Sequence, residues 1–298
     1  MKQYICIDIG GTSIKYGVIQ EDSTFLMTNE MPTKAKEEGG EGIIYKIKKI
    51  ISDFLEEDKR KIAGVCISTA GMVDWRTGKI TYASSLIPGY IGTPLKDIVE
   101  QEFHLPCEVE NDVNCAGLAE YYEGAGKGCE SILCLTVGTG IGGAFIEKGQ
   151  IFHGSSGSGC EIGYMHLPEG AFQDLGASSI LVKTVAKKMQ LEEKSIDGKF
   201  IFEKAKKGDF ICQQAIENMC DILAMGIANI CYVLNPQMVV LGGGIMVQRD
   251  YLEPLIKKRL QKYLLSSIRN HTQLEFAKNG NRAGMLGAYW NFKNLHKI

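Results

Sequence analysis

The chain carries one pattern twice. Residues 3–22 read QYICIDIGGTSIKYGVIQED, and residues 131–150 read SILCLTVGTGIGGAFIEKGQ. Each is an apolar run, a turn of glycine and threonine, a second apolar run and a polar turn. Short apolar runs bounded by glycine read as strands, so each half opens with a strand–glycine turn–strand hairpin. Duplication of one domain is the simplest source of such self-similarity. With 298 residues the chain also exceeds what a single core comfortably serves. Two related domains are therefore expected, 1–118 and 119–282, with a helix over 283–298 packing back on the first.

Between the hairpins the periodicity alternates. A further strand is expected near 24–29. Residues 41–57 place Ile and Leu at helical spacing between charges and predict an amphipathic helix. Strands follow at 62–68 and near 79–82, a helix near 94–103, and a strand at 107–110 that runs into a helix from about 112. Later helices are expected near 178–190, 199–206, 209–234, 250–264 and 283–293, with a strand at 237–241. This is an α/β chain.

Bulk composition sets the partners. Apolar residues make up 45% and charged residues 23%, and the net charge is −2. No basic excess points to nucleic acid, which is not an expected partner. The apolar helix segment Ile222 to Leu234 is shorter than the roughly 20 residues that cross a bilayer, so it reads as core, with no membrane partner. The start MKQYICIDIGG lacks the long apolar stretch of a signal peptide. The ten cysteines form no CxxC and sit mostly in apolar runs, as expected of small buried hydrophobes in a reducing cytoplasm.

Three glycine turns carry the chemistry. In DIGGT, Gly10 and Gly11 let backbone N–H groups approach an anion, Thr12 adds a hydroxyl and Lys15 a positive charge. Asp8 suits Mg²⁺, directly or through water; a plain hairpin turn is the competing reading. In VGTGIGG, residues Gly138, Gly140 and Gly143 fit GxGxxG, but the dinucleotide fingerprint requires a helix next. The following residues read as a strand, which disfavours an NAD oxidoreductase. The third turn, LGGGIM, follows a buried strand and precedes a helix, and it can face a phosphate or lie flat against adenosine; a tight strand–helix turn is the competing reading.

The fourth signal is ENDVNCAGLAE (Glu110 to Glu120). Helix capping accounts for one of its Asn and Asp residues, not for Glu110, Asn111, Asp112 and Asn114 together. A carboxylate flanked by amides suits sugar hydroxyls, and one carboxylate could accept a hydroxyl proton.

These motifs resemble those of the ROK sugar kinases, within the actin-like ATPase superfamily. The resemblance rests on DIGGTSIK (8–15), STAGMVDWRTG (68–78), ENDVNCAGLAE (110–120), LTVGTGIGG (135–143), HGSSGSGCEIGYM (153–165), LNPQMVVLGGG (234–244) and AGMLGA (283–288). It implies two ribonuclease-H-like domains with an interdomain cleft, ATP and Mg²⁺ as cofactors, a sugar substrate, and a homodimer. Asp112 matches the general base. Asn111 and Glu161 match sugar contacts, and Gly71 and Ser85 sit where the family lines the sugar pocket. Asp8, Gly10, Gly11, Thr12 and Lys15 match the first phosphate turn. Gly138, Thr139 and Gly140 match the second, and Gly243 and Gly244 the adenosine region.

Two departures bear on the substrate. Most ROK kinases have His where this chain has Tyr164, followed by a CxCGxxGC cluster that binds structural zinc. Residues 166–200 contain no Cys, so zinc is not expected. Asp174 stands near the place of a family Glu. The Tyr164 variant without the cysteines resembles the branch containing β-glucoside kinases, which act on disaccharides such as cellobiose. The expected reaction is transfer of the ATP γ-phosphoryl group to a sugar hydroxyl, the 6-OH, of glucose or a β-glucoside; N-acylhexosamine phosphorylation is the alternative. A sugar-responsive transcription regulator would carry an N-terminal helix-turn-helix, and a first strand near residue 3 leaves no room for one. A non-catalytic sugar-binding relic fits poorly with Asp112 and two phosphate turns. His153 and His166 are expected to scaffold the site, and Trp75 and Tyr90 either wall the sugar pocket or pack turns.

Overall fold

The structure is a computed structural model that describes residues 1–58, 62–85 and 87–298. The chain divides into two compact units. The first comprises Met1–Gly124, Gly149–Gly159 and Asn281–Ile298, and the second Ala125–Lys148 and Cys160–Gly280.

In the first unit, β1 (Gln3–Ile9), β2 (Ser13–Gln20) and β3 (Phe25–Pro32) form an antiparallel meander. After helix α1 (Ala35–Asp58), strand β4 (Ile62–Thr69) pairs parallel to β1. A small hairpin, β5 (Met72–Asp74) and β6 (Lys79–Tyr82), and helix α2 (Leu95–Phe103) lead to β7 (Cys107–Asn111), which pairs parallel to β4. The sheet order is β3-β2-β1-β4-β7. Alternation along β1 assigns the two faces. Ile5, Ile7 and Ile9 pack under α1 and α2, against Ile43, Ile47, Ile51 and Val99. Tyr4 and Cys6 pack under α3 (Asp112–Glu123) and α10 (Ala283–His296), against Ala119, Met285, Tyr289 and Phe292. The last two helices cross with backbone in contact: a Cβ on Gly287 would lie 1.7 Å from the Cys115 carbonyl oxygen.

The expected start of α1 at residue 41 marks a real break. Gly39 is non-helical with φ +57°, and the Gly40 N–H donates to the Pro88 carbonyl at 2.8 Å. A Cβ on Gly40 would come within 2.6 Å of the Gly89 oxygen, so the bare glycines admit the 87–90 loop. The helix proper begins after them.

The second unit repeats the plan. Strands β8 (Ser131–Val137) and β9 (Ile141–Glu147) form the antiparallel hairpin, and β13 (Met238–Gly242) and β14 (Gln273–Phe276) add in parallel, giving β9-β8-β13-β14. The short strand β10 (Gln150–Ile151) lies in the 149–159 segment of the first unit, and in the second unit short strands β11 (His166–Leu167) and β12 (Gly170–Ala171) precede helices α4 (Phe172–Gly176), α5 (Ser178–Met189), α6 (Gly198–Lys206) and α7 (Phe210–Leu234). Helices α8 (Arg249–Tyr263) and α9 (Ser266–Arg269) separate β13 from β14. By length and hydropathy α7 alone among the described residues could cross a bilayer. Its apolar side, including Ile216, Leu223, Ile227 and Cys231, is buried in this unit's core. Eight of the ten cysteines are buried, in keeping with their placement in apolar runs.

The α/β class and both glycine hairpins match the sequence expectation. Strand β14, the β5 half of the small hairpin and α4 were not foreseen. Each spans five residues or fewer, and so short a segment carries too little periodicity to read.

Candidate active site

In the first unit, polar residues form a row across one sheet face. Glu110 of β7 stands opposite Ser68 of β4, Ser68 opposite Asp8 of β1, Asp8 opposite Lys15 of β2, and Lys15 opposite Glu30 of β3. Residues in register on neighbouring strands share a face, here the face beneath α3 and α10. The Ser68 hydroxyl donates to Asp8 Oδ1 at 2.7 Å. Burial raises the Asp8 carboxyl pKa, against the lowering effects of the Ser68 hydrogen bond and the Lys15 charge. Lys15 and Glu30 also line a cavity of about 410 Å³ with Asn29, Asn281 and Arg282.

Hairpin closure shapes the first glycine turn. The Gly10 N–H donates to the Ser13 carbonyl at 3.0 Å, and the Gly10 carbonyl accepts from Thr33 Oγ1 at 2.7 Å. Gly11 and Thr12 are exposed. Among the described residues, a Cβ on Gly11 would meet no atom within 4 Å beyond its own chain neighbours, so their packing gives no reason for its bareness.

Asn111 caps α3. Its Oδ1 accepts from the N–H groups of Val113 at 2.9 Å and Asn114 at 3.1 Å. Its Nδ2 donates to the Gly71 carbonyl at 2.9 Å and to Asp112 Oδ1 at 3.0 Å, and the Val113 N–H donates to the same Oδ1 at 3.0 Å. Asp112 is thus held by the first turn of α3. Gly71 has φ +104°, and a Cβ there would fall 2.6 Å from the Tyr82 carbonyl oxygen. Behind the junction, Glu110 is 1% exposed. Its Oε1 accepts from the Asn111 N–H at 2.7 Å and Asn114 Nδ2 at 2.9 Å, and its Oε2 pairs with His153 Nε2 at 2.6 Å.

Ser85 is exposed in the 84–92 loop, whose residue 86 lies outside the described residues. Tyr90 is fully buried, with its hydroxyl 2.7 Å from Thr69 Oγ1. It belongs to the core, and the pocket-wall reading does not hold for it. Trp75 stacks on His153 at 4.8 Å between centroids.

In the second unit, the glycine turn 138–140 is clamped by the start of α5. The Gly138 carbonyl accepts from the Ser178 N–H at 3.0 Å and the Ser178 hydroxyl at 2.6 Å. The Thr139 carbonyl accepts from the Ser179 hydroxyl at 2.7 Å. Beside this turn lies a cavity of about 410 Å³ lined by Thr139, Ser178, Ser179, Val182, Gly198, Lys199, Gly244, Ile245, Val247 and Gln248. Its aliphatic walls with a few hydroxyls and an amide suit a flat heterocycle bearing a polar sugar. Of the residues named from sequence, Thr139 and Gly244 reach it. Gly243 serves packing instead, with φ +101° and a Cβ position 2.2 Å from the Val137 carbonyl oxygen. Ser178 and Ser179 were missed, although a Ser pair opening a helix is a recognisable start signal.

Glu161 lies in the same unit, half-buried before the turn Ile162–Tyr164. Burial raises its carboxyl pKa. Tyr164 is half exposed. Cys160 adopts φ +63°, a conformation native to glycine. Asp174 lines a different cavity, about 390 Å³, with Glu169, Asn218 and Asp221, and no other expected site residue lines it. The neighbouring Gln173 faces the glycine turn: a Cβ on Gly140 or Gly163 would lie 2.9 Å from its Oε1. Among the described residues no three His, Cys, Asp or Glu side chains group as a metal site.

Two ribonuclease-H-like sheets, each headed by a glycine turn, define a phosphotransferase of the actin-like ATPase fold. The chain belongs to the ROK family, whose profile it matches over residues 4–294. It is 30% identical to a glucokinase of Halalkalibacterium halodurans, over 97% of this chain and 94% of that one. It is also 30% identical to a β-glucoside kinase of Listeria innocua, over 97% and 98%. Among solved structures it resembles a ROK glucokinase from Streptomyces griseus in complex with glucose and AMPPNP, with a TM-score of 0.82 and 29% identity, over 96% of this chain and 97% of that one.

Proposed function

We propose that the protein is an ATP-dependent sugar kinase that transfers the γ-phosphoryl group of ATP to the 6-OH of glucose or of a β-glucoside such as cellobiose. The observation that carries this reading is Asp112. Two donors hold its Oδ1 at the end of β7, where the carboxyl ends of parallel strands commonly present catalytic groups. In this reading Asp112 orients the sugar hydroxyl and takes its proton as the phosphorus–oxygen bond forms. Asn111 fixes Asp112, and Glu161 accepts hydrogen bonds from other hydroxyls.

The 410 Å³ cavity of the second unit takes adenosine. In this reading the glycine turn of each unit, and Lys15 of the first, supply donors suited to phosphate oxygens. A single partly buried carboxylate with a neighbouring hydroxyl fits Mg²⁺ held largely through water, since this cation keeps several waters and uses few protein ligands. Asp8 would hold it, and when bound it would neutralise charge on the transferring group. The glucokinase and β-glucoside kinase relatives support the substrate class, and the Tyr164 position supports the glucoside branch.

The test is ADP release from purified protein with glucose, cellobiose, gentiobiose and N-acetylmannosamine, with the phosphorylated carbon located by phosphorus NMR. Turnover of glucose or a glucoside is expected. Turnover restricted to N-acetylmannosamine would replace the substrate, and ADP release with none of the four would remove the reading.

A further inference from the structure

Glu110 is a buried carboxylate, and one of its oxygens holds the junction that launches Asp112. Oε1 fastens the Asn111 N–H and the Asn114 amide. Oε2 has a partner distant in sequence, His153 Nε2 at 2.6 Å, from the 149–159 segment that returns to the first unit. A carboxylate only accepts, so this contact places the hydrogen on Nε2. The imidazole is itself clamped. It stacks on Trp75 with planes 16° apart, and the Arg76 guanidinium also lies over that indole, 4.6 Å from a ring centroid.

We propose that His153 is a positioning residue for the Asn111–Asp112 pair, acting through Glu110. This inference rests on the sugar-kinase reading and adds to it a residue that touches no reacting atom. Without the Nε2 donor, Oε2 would be a buried anionic oxygen lacking its partner, a costly state. The carboxyl group relieves it by taking a proton or by rotating toward water. Either response loosens Oε1 from the Asn111 N–H, and with it the cap that aims Asp112. Misplacing a reacting group by about 1 Å can cost on the order of 100-fold in rate. The cavity assigned to adenosine is lined by second-unit residues alone, and none of them is a partner of His153 or Glu110, so the loss is expected in kcat rather than in the ATP KM.

The test compares two polar substitutions. In His153→Gln the side-chain amide can occupy the place of Nε2 and still donate to Glu110. In His153→Asn the shorter amide reaches only the place of Nδ1. Steady-state kinetics of the full chain with its preferred sugar should show His153→Asn losing about 10- to 100-fold in kcat, and His153→Gln staying within about fivefold of wild type. The ATP KM should stay within about twofold in both. These magnitudes follow from misorientation of one catalytic group. Equal kcat in the two variants would overturn the positioning role, as would a loss expressed mainly in the ATP KM. If the wild-type chain phosphorylates no sugar, the kinase reading falls and the role of His153 falls with it. An active wild type with indistinguishable variants removes the role of His153 alone.

Discussion

Gly284 lies against the Asp8 carboxylate: a Cβ on Gly284 would fall 2.3 Å from Asp8 Cγ. The first turn of α10, near the chain's end, therefore forms a wall around a carboxylate on its first strand. The side chain of Asp8 is short and hydrogen-bonded to Ser68, so it has little freedom to yield.

Gly284→Ala should accordingly do two things. Overpacking of this kind costs about 1–3 kcal/mol, readable as a lower denaturant midpoint. Displacement of the carboxylate should also raise the Mg²⁺ concentration needed for half-maximal activity. An alanine variant with unchanged Mg²⁺ dependence would argue against Asp8 as the cation's residue.

Asp112→Asn preserves an Oδ1 that can accept from Val113 and Asn111, so the start of α3 should survive. Removal of a general base typically costs about 10²–10⁴ in rate. Turnover should fall by that order while sugar affinity, read by calorimetry, stays within a few-fold. Turnover near wild type would show that another group takes the proton.

Burial raises the Glu161 carboxyl above its ordinary value of 4.5. A native carboxyl that holds its proton more tightly than the unfolded chain does makes stability fall as pH rises. The fall begins near the unfolded value and is complete above the raised native value. Glu161→Gln removes this dependence. The ligand-free variant should melt at or above the wild-type temperature at pH 7, with a flatter profile toward pH 5, while the sugar KM rises about tenfold or more. A variant that melts lower and keeps its sugar KM would assign Glu161 to the scaffold.

Among the described residues, a Cβ on Gly244 meets no atom within 4 Å beyond its own chain neighbours, and Gly244 lines the second-unit cavity. Gly244→Val should therefore fold normally and occupy space meant for adenosine. The ATP KM should rise about tenfold, or ~1.4 kcal/mol, with the sugar KM unchanged. An unaltered ATP KM would place the nucleotide elsewhere.

The glycine turns were legible because each combines a strand signal with residues of restricted use. Asp112 was legible because four polar residues in five positions exceed what capping needs. His153 was visible only as a histidine near a motif, since its partner lies 43 positions away. Gln173 was hidden by its neighbour. Sequence favours Asp174 as the residue of matching charge, yet the short helix α4 turns Gln173 toward Gly140 and leaves Asp174 on another cavity. Which of two adjacent helical residues faces a site depends on where the helix begins, and α4 is too short to show a period.

The sequence by itself determined the duplicated α/β plan, the family and the residue types at the chemistry, because strand periodicity and glycine turns are local properties. Only the tertiary structure decided how those residues are held. The row from Glu110 through Ser68, Asp8 and Lys15 to Glu30 arises from strand register among five segments, and the walls around Asp8 and Glu110 come from Gly284 and His153. Register and helix packing are set by burial of distant apolar faces against one another, which no local window of sequence contains.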